Sequence, residues 1–254
     1  DDGYEYSDKI SEVISRVKTI EDMQTQKRSV EFTETDLAKL KALNEKIISA
    51  DKILITSHSK GDGDSIGCVL SMYNYLTTTF SEKKVSIAID GGCPKYLGWL
   101  PDTGIIESDE NIFIDKNFDL VVCLDSNFEP RVGFPFRLFK NYIEEDKVVV
   151  IDHHQDTPRS KDLYFANPIS SSTGELIYQF FKTNDIQIND KIAIYLYVAI
   201  VTDTWQFSQE NTTTGALKIA SELLEFDTVK PNVIAAKLFE NKSFAFRMSP
   251  RGGV

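Results

Sequence analysis

The sequence predicts an α/β protein with an open, mostly parallel sheet that is flanked by helices. Three observations support this class: short apolar runs, helical stretches between them, and polar residues where several of the runs end. Runs that are rich in β-branched residues and apolar on both parities are typical of strands covered on both faces. Strands that alternate with helices favour a parallel sheet with right-handed crossovers.

The first 50 residues are predicted to form an N-terminal helical extension. Apolar residues recur at helical spacing in two segments, 10–20 and 37–48, and the polar stretch 24–34 between them is interpreted as a linker. Apolar stripes of this kind ordinarily pack against a core. No functional role is therefore assigned to this extension.

Four apolar runs after residue 51 are the predicted strands, and they span 53–56, 85–89, 120–124 and 148–151. Helical patterns follow the first run and dominate after residue 170. The main helices are predicted at 66–76, 173–181, 190–201 and 214–224. We therefore expect one α/β domain over 51–226, followed by a short segment over 227–254.

Charge and composition exclude several classes of protein. The chain has 28 basic and 39 acidic residues, a net charge of −11, whereas proteins that grip long nucleic acid are usually basic. Phosphate recognition by so acidic a chain requires a local basic patch or bound metal ions. No apolar run approaches the roughly 18 residues that cross a bilayer, and three separated cysteines fit a reducing compartment. We expect no long nucleic acid, no membrane and a cytoplasmic location.

A loop rich in aspartate and glycine follows the first predicted strand and opens a helix. It contains His58, Asp62 and Asp64, with glycines at positions 61 and 63. Imidazole and carboxylate groups are good ligands for a divalent ion such as manganese. Glycine lets the backbone turn so that alternate aspartates point inward. The loop is therefore a candidate metal-binding segment.

Two further strands end at residues of the same chemistry. Asp125 closes the third run, and Asp152-His153-His154 closes the fourth. Ligands in open α/β sheets bind beyond the carboxyl ends of the strands, so these groups are expected to share one crevice with His58. Asp203, at the end of an apolar helix, is a further candidate.

Each of these signals has an ordinary alternative when it is taken alone. An aspartate at a strand end, such as Asp125, is usually a turn residue or a helix cap. An Asp-His-His tripeptide can form a hydrogen-bonded surface turn. All three histidines of the chain, however, lie at predicted strand ends next to aspartates. That combination favours a metal site over coincidence.

The pattern resembles the four motifs of the DHH phosphoesterase superfamily, which includes RecJ-type exonucleases and family II inorganic pyrophosphatases. Within it, the chain most resembles the bifunctional oligoribonucleases and pAp phosphatases (nanoRNases) and their cyclic-dinucleotide phosphodiesterase relatives. Three segments add to the likeness, and the resemblance covers residues 45 to about 240. These segments are Arg131-Val-Gly133, Ser171-Ser-Thr-Gly-Glu175 and Asp203-Thr-Trp-Gln-Phe207.

The resemblance implies a site with two Mn²⁺ ions, for which Mg²⁺ or Co²⁺ would be possible substitutes. It implies that His58 and Asp62 hold the first ion, that Asp64, His153 and Asp203 hold the second, and that Asp125 bridges both. It further implies that Asp152 orients a histidine by a hydrogen bond and that His154 contacts the scissile phosphate. The implied catalytic residues are therefore Asp125, Asp152 and His154.

A second phosphate of the substrate has its own candidate partners. These are Arg131 and the hydroxyl groups of Ser171, Ser172 and Thr173, because a helix that begins at this segment would offer free N–H groups to an anion. Two alternatives remain open here. The hydroxyl groups can instead cap the helix, and Arg131 can form a surface salt bridge.

The function implied by the resemblance is hydrolysis of short oligonucleotides, pAp, or cyclic or linear dinucleotides by two-metal activation of water. Two alternatives are kept: a pyrophosphatase like those of family II, and a non-catalytic nucleotide-binding module. The family normally continues into a DHH-associated domain, of which residues 227–254 are expected to supply a linker helix and only the beginning. Short oligonucleotides or dinucleotides are the expected partners, with a homodimer as a possibility.

Overall fold

The computed structural model of the chain describes residues 30–115, 117–126, 131–134, 139–158 and 161–239. The predicted helix at 10–20 and the final segment 240–254 lie outside the described residues. The expectations placed on those segments therefore remain predictions.

The described strands form one six-stranded sheet in which every pairing is parallel. The strands are β1 (Lys52–Thr56), β2 (Lys84–Ala88), β3 (Ile106–Glu107), β4 (Leu120–Leu124), β5 (Val148–Asp152) and β6 (Tyr164–Ala166). Their spatial order is β3-β2-β1-β4-β5-β6. The predicted α/β class is confirmed. Sequence reasoning missed β3 and β6, because strands of two or three residues carry too little periodicity to stand out.

Eight α-helices belong to the described part of the chain. They are α1 (Glu34–Ile48), α2 (Gly63–Thr79), α3 (Ile112–Asp115), α4 (Lys140–Glu144), α5 (Thr173–Thr183), α6 (Asp190–Asp203), α7 (Thr214–Leu223) and α8 (Pro231–Phe239). Several begin at a capping side chain, as in α1, where Thr33 accepts a hydrogen bond from the backbone N–H of Asp36. None of the described helices is long and apolar enough to span a bilayer.

The sheet carries an apolar core on each face. Along β4, Val122 and Leu124 join the larger core, while Val121 and Cys123 join the smaller one on the other face. Helices α1, α2, α5 and α6 cover the larger core, and α3 and α4 lie over the smaller one. Burial on both faces explains why these strands are apolar on both parities. The domain boundaries at residues 50 and 226 stay predictions.

Helices α2 and α6 approach each other through glycines. A Cβ on Gly67 would collide with the backbone carbonyl oxygen of Tyr195, and one on Gly63 would collide with the side chain of Thr202. The absent side chains therefore allow α6 to lie directly on the first two turns of α2. Since α6 ends at Asp203, this close packing brings that residue next to Asp64 at the start of α2.

Candidate metal centre

The candidate site lies beyond the carboxyl ends of β1, β4 and β5, which are neighbours in the sheet. The strand order reverses between β1 and β4, and such switch points are where open α/β sheets bind ligands. A cavity of about 370 Å³ opens there. It is lined by His58, Ser59, Asp62, Asp125, Arg131, His153, His154 and Asp203.

The first donor set consists of His58, Asp62 and Asp125. The Nε2 atom of His58 lies 3.7 Å from Oδ1 of Asp62 and 3.4 Å from Oδ2 of Asp125. Its other ring nitrogen, Nδ1, lies 2.9 Å from the carbonyl oxygen of Ser59, which favours the tautomer with a free Nε2. Asp62 also caps α2, since its carboxylate accepts hydrogen bonds from the first N–H groups of that helix.

The second donor set consists of Asp64, His153 and Asp203. The Nε2 atom of His153 lies 3.8 Å from Oδ2 of Asp64 and 3.6 Å from Oδ2 of Asp203. The same nitrogen lies 3.6 Å from Oδ1 of Asp125. The two carboxylate oxygens of Asp125 therefore face different donor sets, Oδ2 towards the first and Oδ1 towards the second.

The N-terminus of α5 binds two of these carboxylates. Backbone N–H groups of Thr173 and Gly174 donate to the two oxygens of Asp64 at 2.7 and 2.8 Å. The hydroxyl of Thr173 donates to Oδ1 of Asp125 at 3.0 Å, and the thiol of Cys68 donates to Asp64 at 3.4 Å. A helix N-terminus is favourable for an anion, and here the anion is a side chain of the protein itself.

This arrangement bears on the predicted phosphate contacts of the Ser171-Ser172-Thr173 segment. All three residues are fully buried, Ser172 caps α5 by accepting from the N–H of Glu175, and the Ser171 hydroxyl donates to the Glu175 carboxylate. The capping alternative is thus present in the structure. A contact between these hydroxyl groups and a substrate stays a prediction.

Crowded carboxylates dominate the electrostatics of the site. Burial and the charges of Asp125 and Asp203 raise the pKa of Asp64 well above its ordinary value. Burial likewise raises the pKa of Asp203 to about 7, with Asp125 adding to the effect and His153 opposing it. Burial lowers the pKa of His58, but Asp125 and Asp62 outweigh it and raise the pKa to about 11.

The donor chemistry fits a divalent cation. Of the described residues that line the cavity, Arg131 carries the one permanent positive charge, beside three aspartates. Carboxylate oxygens combined with imidazole nitrogens suit Mn²⁺ and similar ions, and a bound cation relieves the repulsion between the carboxylates. Both donor sets bring their ligand atoms within 4.8 Å of one another. The number and identity of the ions belong to the proposal below.

The two adjacent histidines both lie near Oδ1 of Asp125, at 3.6 Å for Nε2 of His153 and 3.9 Å for Nδ1 of His154, but their other partners differ. His154 Nδ1 lies 2.7 Å from Oδ1 of Asp152, while His153 faces the second donor set. Asp152 is fully buried, and it also accepts from the Thr157 hydroxyl. The hydrogen bond that His154 donates to Asp152 raises the pKa of His154, although burial opposes it. This hydrogen bond fixes the position of one ring nitrogen of His154.

Arg131 lies on the wall of the cavity. Its backbone carbonyl accepts from the N–H of Ser59 at 2.7 Å, which ties the segment around it to the His58 loop. Its guanidinium lies 3.7 Å from the carboxylate of Asp156, and both side chains are partly exposed. The salt bridge considered from the sequence is therefore present, in a residue that also lines the cavity.

Comparison with known protein families agrees with this geometry. The sequence profile described as "DHH family, N-terminal domain" matches residues 52–200, which is more than half of the chain. The chain belongs to the DHH family. The resemblance found from the motifs alone is thereby confirmed.

Three relatives illustrate the range of the family. A probable bifunctional oligoribonuclease and PAP phosphatase, NrnA, of Streptococcus mutans is 30% identical over 193 residues, which are 75% of this chain and 58% of that protein. The cyclic-di-AMP phosphodiesterase GdpP of Bacillus subtilis is 27% identical over 180 residues, 66% of this chain and 27% of that protein. A crystal structure of an exopolyphosphatase-related protein from Bacteroides fragilis superposes with a TM-score of 0.68 at 27% identity, covering 80% of this chain and 60% of that one.

The chain thus spans less than two thirds of the length of each of these relatives.

Sequence reasoning assigned no site role to Glu175, Asn211 or Thr213, yet hydrogen bonds connect all three to the segments that carry the second donor set. Two sequence signals point to this region: the capping spacing of Ser172 and Glu175, and the likeness of the segment 171–175 to the family.

Proposed function

We propose that this chain carries the metal centre of a divalent-metal-dependent phosphoesterase that hydrolyses short oligonucleotides, pAp, or linear or cyclic dinucleotides. One observation carries the proposal: the two oxygens of Asp125 face two separate donor sets. A carboxylate in this position suits a ligand shared by a pair of ions, as in two-metal phosphoryl-transfer sites. We assign His58 and Asp62 to one Mn²⁺, Asp64, His153 and Asp203 to the other, and Asp125 to both.

The residues of the chain provide the remaining parts of a hydrolytic site. When bound, a divalent pair supplies charge neutralisation for the phosphoryl group and a lowered pKa for coordinated water. The Nδ1–H of His154 donates to Asp152, and this raises the pKa of the imidazolium. The ring therefore also retains a proton on Nε2. We assign to His154 the transfer of that proton from Nε2 to the leaving oxygen, since Nδ1 is engaged with Asp152.

Arg131 is assigned to a second phosphate of the substrate. Arg131 lines the same cavity as His154, and a guanidinium suits a bidentate contact with a phosphate. Three aspartates line the same cavity, so anionic substrates depend on Arg131 and the bound ions for attraction. The names of the relatives support substrates with few phosphates. A cytoplasmic location, inferred from the sparse cysteines, belongs to the same proposal.

The proposal is tested in two stages with the chain as it stands. Calorimetric titration with Mn²⁺ is expected to show two ions bound per chain. Phosphate and nucleotide release is then followed with pAp, pApA, cyclic di-AMP and pyrophosphate in the presence of Mn²⁺. We expect turnover of at least one nucleotide substrate, and its loss in Asp203→Asn. Asp227→Asn, which changes a fully exposed aspartate, is the matched control and should retain the activity.

Two outcomes would overturn parts of the proposal. Release of phosphate from pyrophosphate alone would identify a pyrophosphatase instead. Tight binding of a nucleotide without turnover, in a chain loaded with two Mn²⁺, would favour the non-catalytic module.

A further inference from the structure

A buried carboxylate that the proposed reaction does not use lies behind the second donor set. Glu175, in the first turn of α5, is 1% exposed. Its Oε2 accepts from the backbone N–H of Ser171 at 2.8 Å and from the Ser171 hydroxyl at 2.9 Å. The hydroxyl of Thr213, which caps α7, lies 2.9 and 3.0 Å from its two oxygens. Glu175 therefore joins the residue before the α5 cap to the start of α7.

One further hydrogen-bonding group carries this connection to Asp203. The side-chain N–H₂ of Asn211 donates to the carbonyl oxygen of Ser171 at 2.8 Å and to that of Asp203 at 3.0 Å. Asp203 is the last residue of α6, so its carbonyl has no partner within the helix. We call Glu175, Ser171, Asn211 and Thr213 the Glu175 bracket.

The start of α7 is shaped around the Glu175 carboxylate. A Cβ on Gly215 would collide with Oε1 of Glu175, so the glycine leaves the space that this carboxylate fills. Burying an ionised carboxylate is costly unless hydrogen bonds satisfy it, and here three donor groups point at it. This buried hydrogen-bond network adjoins two candidate metal ligands. The N-terminus of α5 donates to Asp64, and Asn211 donates to the carbonyl oxygen of Asp203.

Asp203 is the last residue of α6, and the backbone changes conformation shortly after it. The three residues that follow closely, Trp205, Gln206 and Phe207, all have positive φ angles of 47°, 58° and 63°. Positive φ is unfavourable for residues other than glycine, so the backbone beyond α6 does not hold Asp203 through a regular helical continuation. The side chain of Asp203 is 26% exposed, whereas that of Asp64 is 1% exposed.

We propose that the Glu175 bracket is a positioning device for the second metal ion. It sets the distance between Asp203, held through Asn211, and Asp64, held by the N-terminus of α5. The inference rests on the proposed function, since it takes Asp64 and Asp203 as ligands of one ion. Ser171 is the one bracket residue that is also a predicted substrate contact, and the variants below leave it unchanged.

The test measures Mn²⁺ affinity at each site, not turnover. Asn211→Ala removes the link to Asp203 without changing any charge, and Asn211 is exposed, so the variant should fold. Glu175→Gln removes the negative charge that accepts hydrogen bonds from Ser171 and Thr213. Each variant is expected to weaken one of the two Mn²⁺ sites by about 10–100-fold, the range typical for residues that orient a metal ligand, and to leave the other unchanged.

A matched control separates positioning from general stability. Glu222→Gln alters another carboxylate that links α7 to α5, through the hydroxyl of Tyr178, but at a distance from the donor sets. We expect unchanged Mn²⁺ affinities in this variant. Unfolding temperatures measured without metal then show how much each substitution costs the fold itself.

A double-mutant comparison identifies the affected ion. If the bracket acts through Asp203, adding Asn211→Ala to Asp203→Asn should cause no further loss of affinity. Additive losses, or two unchanged Mn²⁺ sites in both Asn211→Ala and Glu175→Gln, would overturn the inference while leaving the proposed function intact. A wild-type chain that binds no Mn²⁺ would overturn both.

Discussion

The first donor set is assembled mainly by local sequence, whereas the second is assembled by tertiary packing. His58 and Asp62 are four positions apart in one loop, and Asp125 follows the neighbouring strand. Asp64, His153 and Asp203 come instead from α2, the end of β5 and the end of α6. The N-terminus of α5, contributed by a further segment, binds Asp64.

This difference indicates which kind of substitution should disturb each donor set. The His58 loop is fixed within its own sequence by the Asp62 cap on α2, and one backbone hydrogen bond ties Ser59 to the distant Arg131. The second donor set depends on the distance between two helices and on the Glu175 bracket. Substitutions far from the cavity should therefore disturb the second donor set more than the first.

The largest effect on metal affinity is expected at Asp125, because both donor sets share this residue. Asp125→Ala should weaken both Mn²⁺ sites together, by on the order of 100-fold or more, because it removes a direct ligand of both ions. Calorimetric titration of the variant measures both sites, with Asp227→Ala as the exposed control. Two undiminished sites would show that Asp125 does not bridge.

The adjacent histidines should separate binding from chemistry. His154→Ala is expected to keep both Mn²⁺ sites and to lower turnover by about 10²–10⁴-fold, the usual range for a general acid. His153→Ala should instead weaken the second site, because its Nε2 faces Asp64 and Asp203. Metal titration and steady-state kinetics on both variants are the measurements. If His154→Ala loses metal and His153→Ala does not, the two roles must be exchanged.

A substitution between the helices should disturb the second donor set alone. Gly67→Ala places a methyl group against the Tyr195 carbonyl, and overpacking of this kind typically costs about 1–3 kcal/mol. We expect α6 to shift away from α2, so that the second Mn²⁺ site weakens while the first persists. Urea unfolding and metal titration report the two effects.

The chain offers a matched control for that glycine. A Cβ on Gly104 meets no atom within 4 Å, so Gly104→Ala should change neither stability nor metal affinity appreciably. Equal weakening of both metal sites in Gly67→Ala would contradict the assignment of independent supports to the two donor sets.

The smallest expected effect is a pH dependence of the metal-free chain. The pKa of Asp203 rises from 3.8 to about 7 in the folded protein, so the folded state binds this proton more tightly than the unfolded state does. Its contribution to stability is complete below about pH 4 and is lost as the pH rises through 7. At about 1.4 kcal/mol per pKa unit, we expect a loss of about 1–3 kcal/mol between pH 5 and 8.

Urea unfolding in the presence of a chelator, compared between wild type and Asp203→Asn, isolates this loss, because the raised pKa of His58 adds a loss of the same sign above about pH 6.5 in both chains. Asp152 acts with the opposite sign, because its pKa is lowered, but its contribution is lost only as the pH falls below about 4. An Asp203→Asn variant with the same pH dependence as the wild type would contradict the raised pKa.

Sequence periodicity and residue chemistry by themselves predicted the α/β class, the main strands and every residue of the two donor sets. This was possible because short apolar runs identify buried strands, and because parallel strands place their carboxyl ends along one edge. The rare histidines then marked which strand ends belong to the candidate site. The family resemblance rested on the same residues and was confirmed.

Only the tertiary structure decided what surrounds those donors. The free N–H groups of α5 were expected to suit a substrate phosphate, but Asp64 lies against them, about 110 residues away along the chain. The bracket of Glu175 and Asn211 likewise depends on contacts between α5, α6 and α7. Sequence spacing reports local periodicity, whereas the partner of a buried polar group is set by helix packing, which no local pattern encodes.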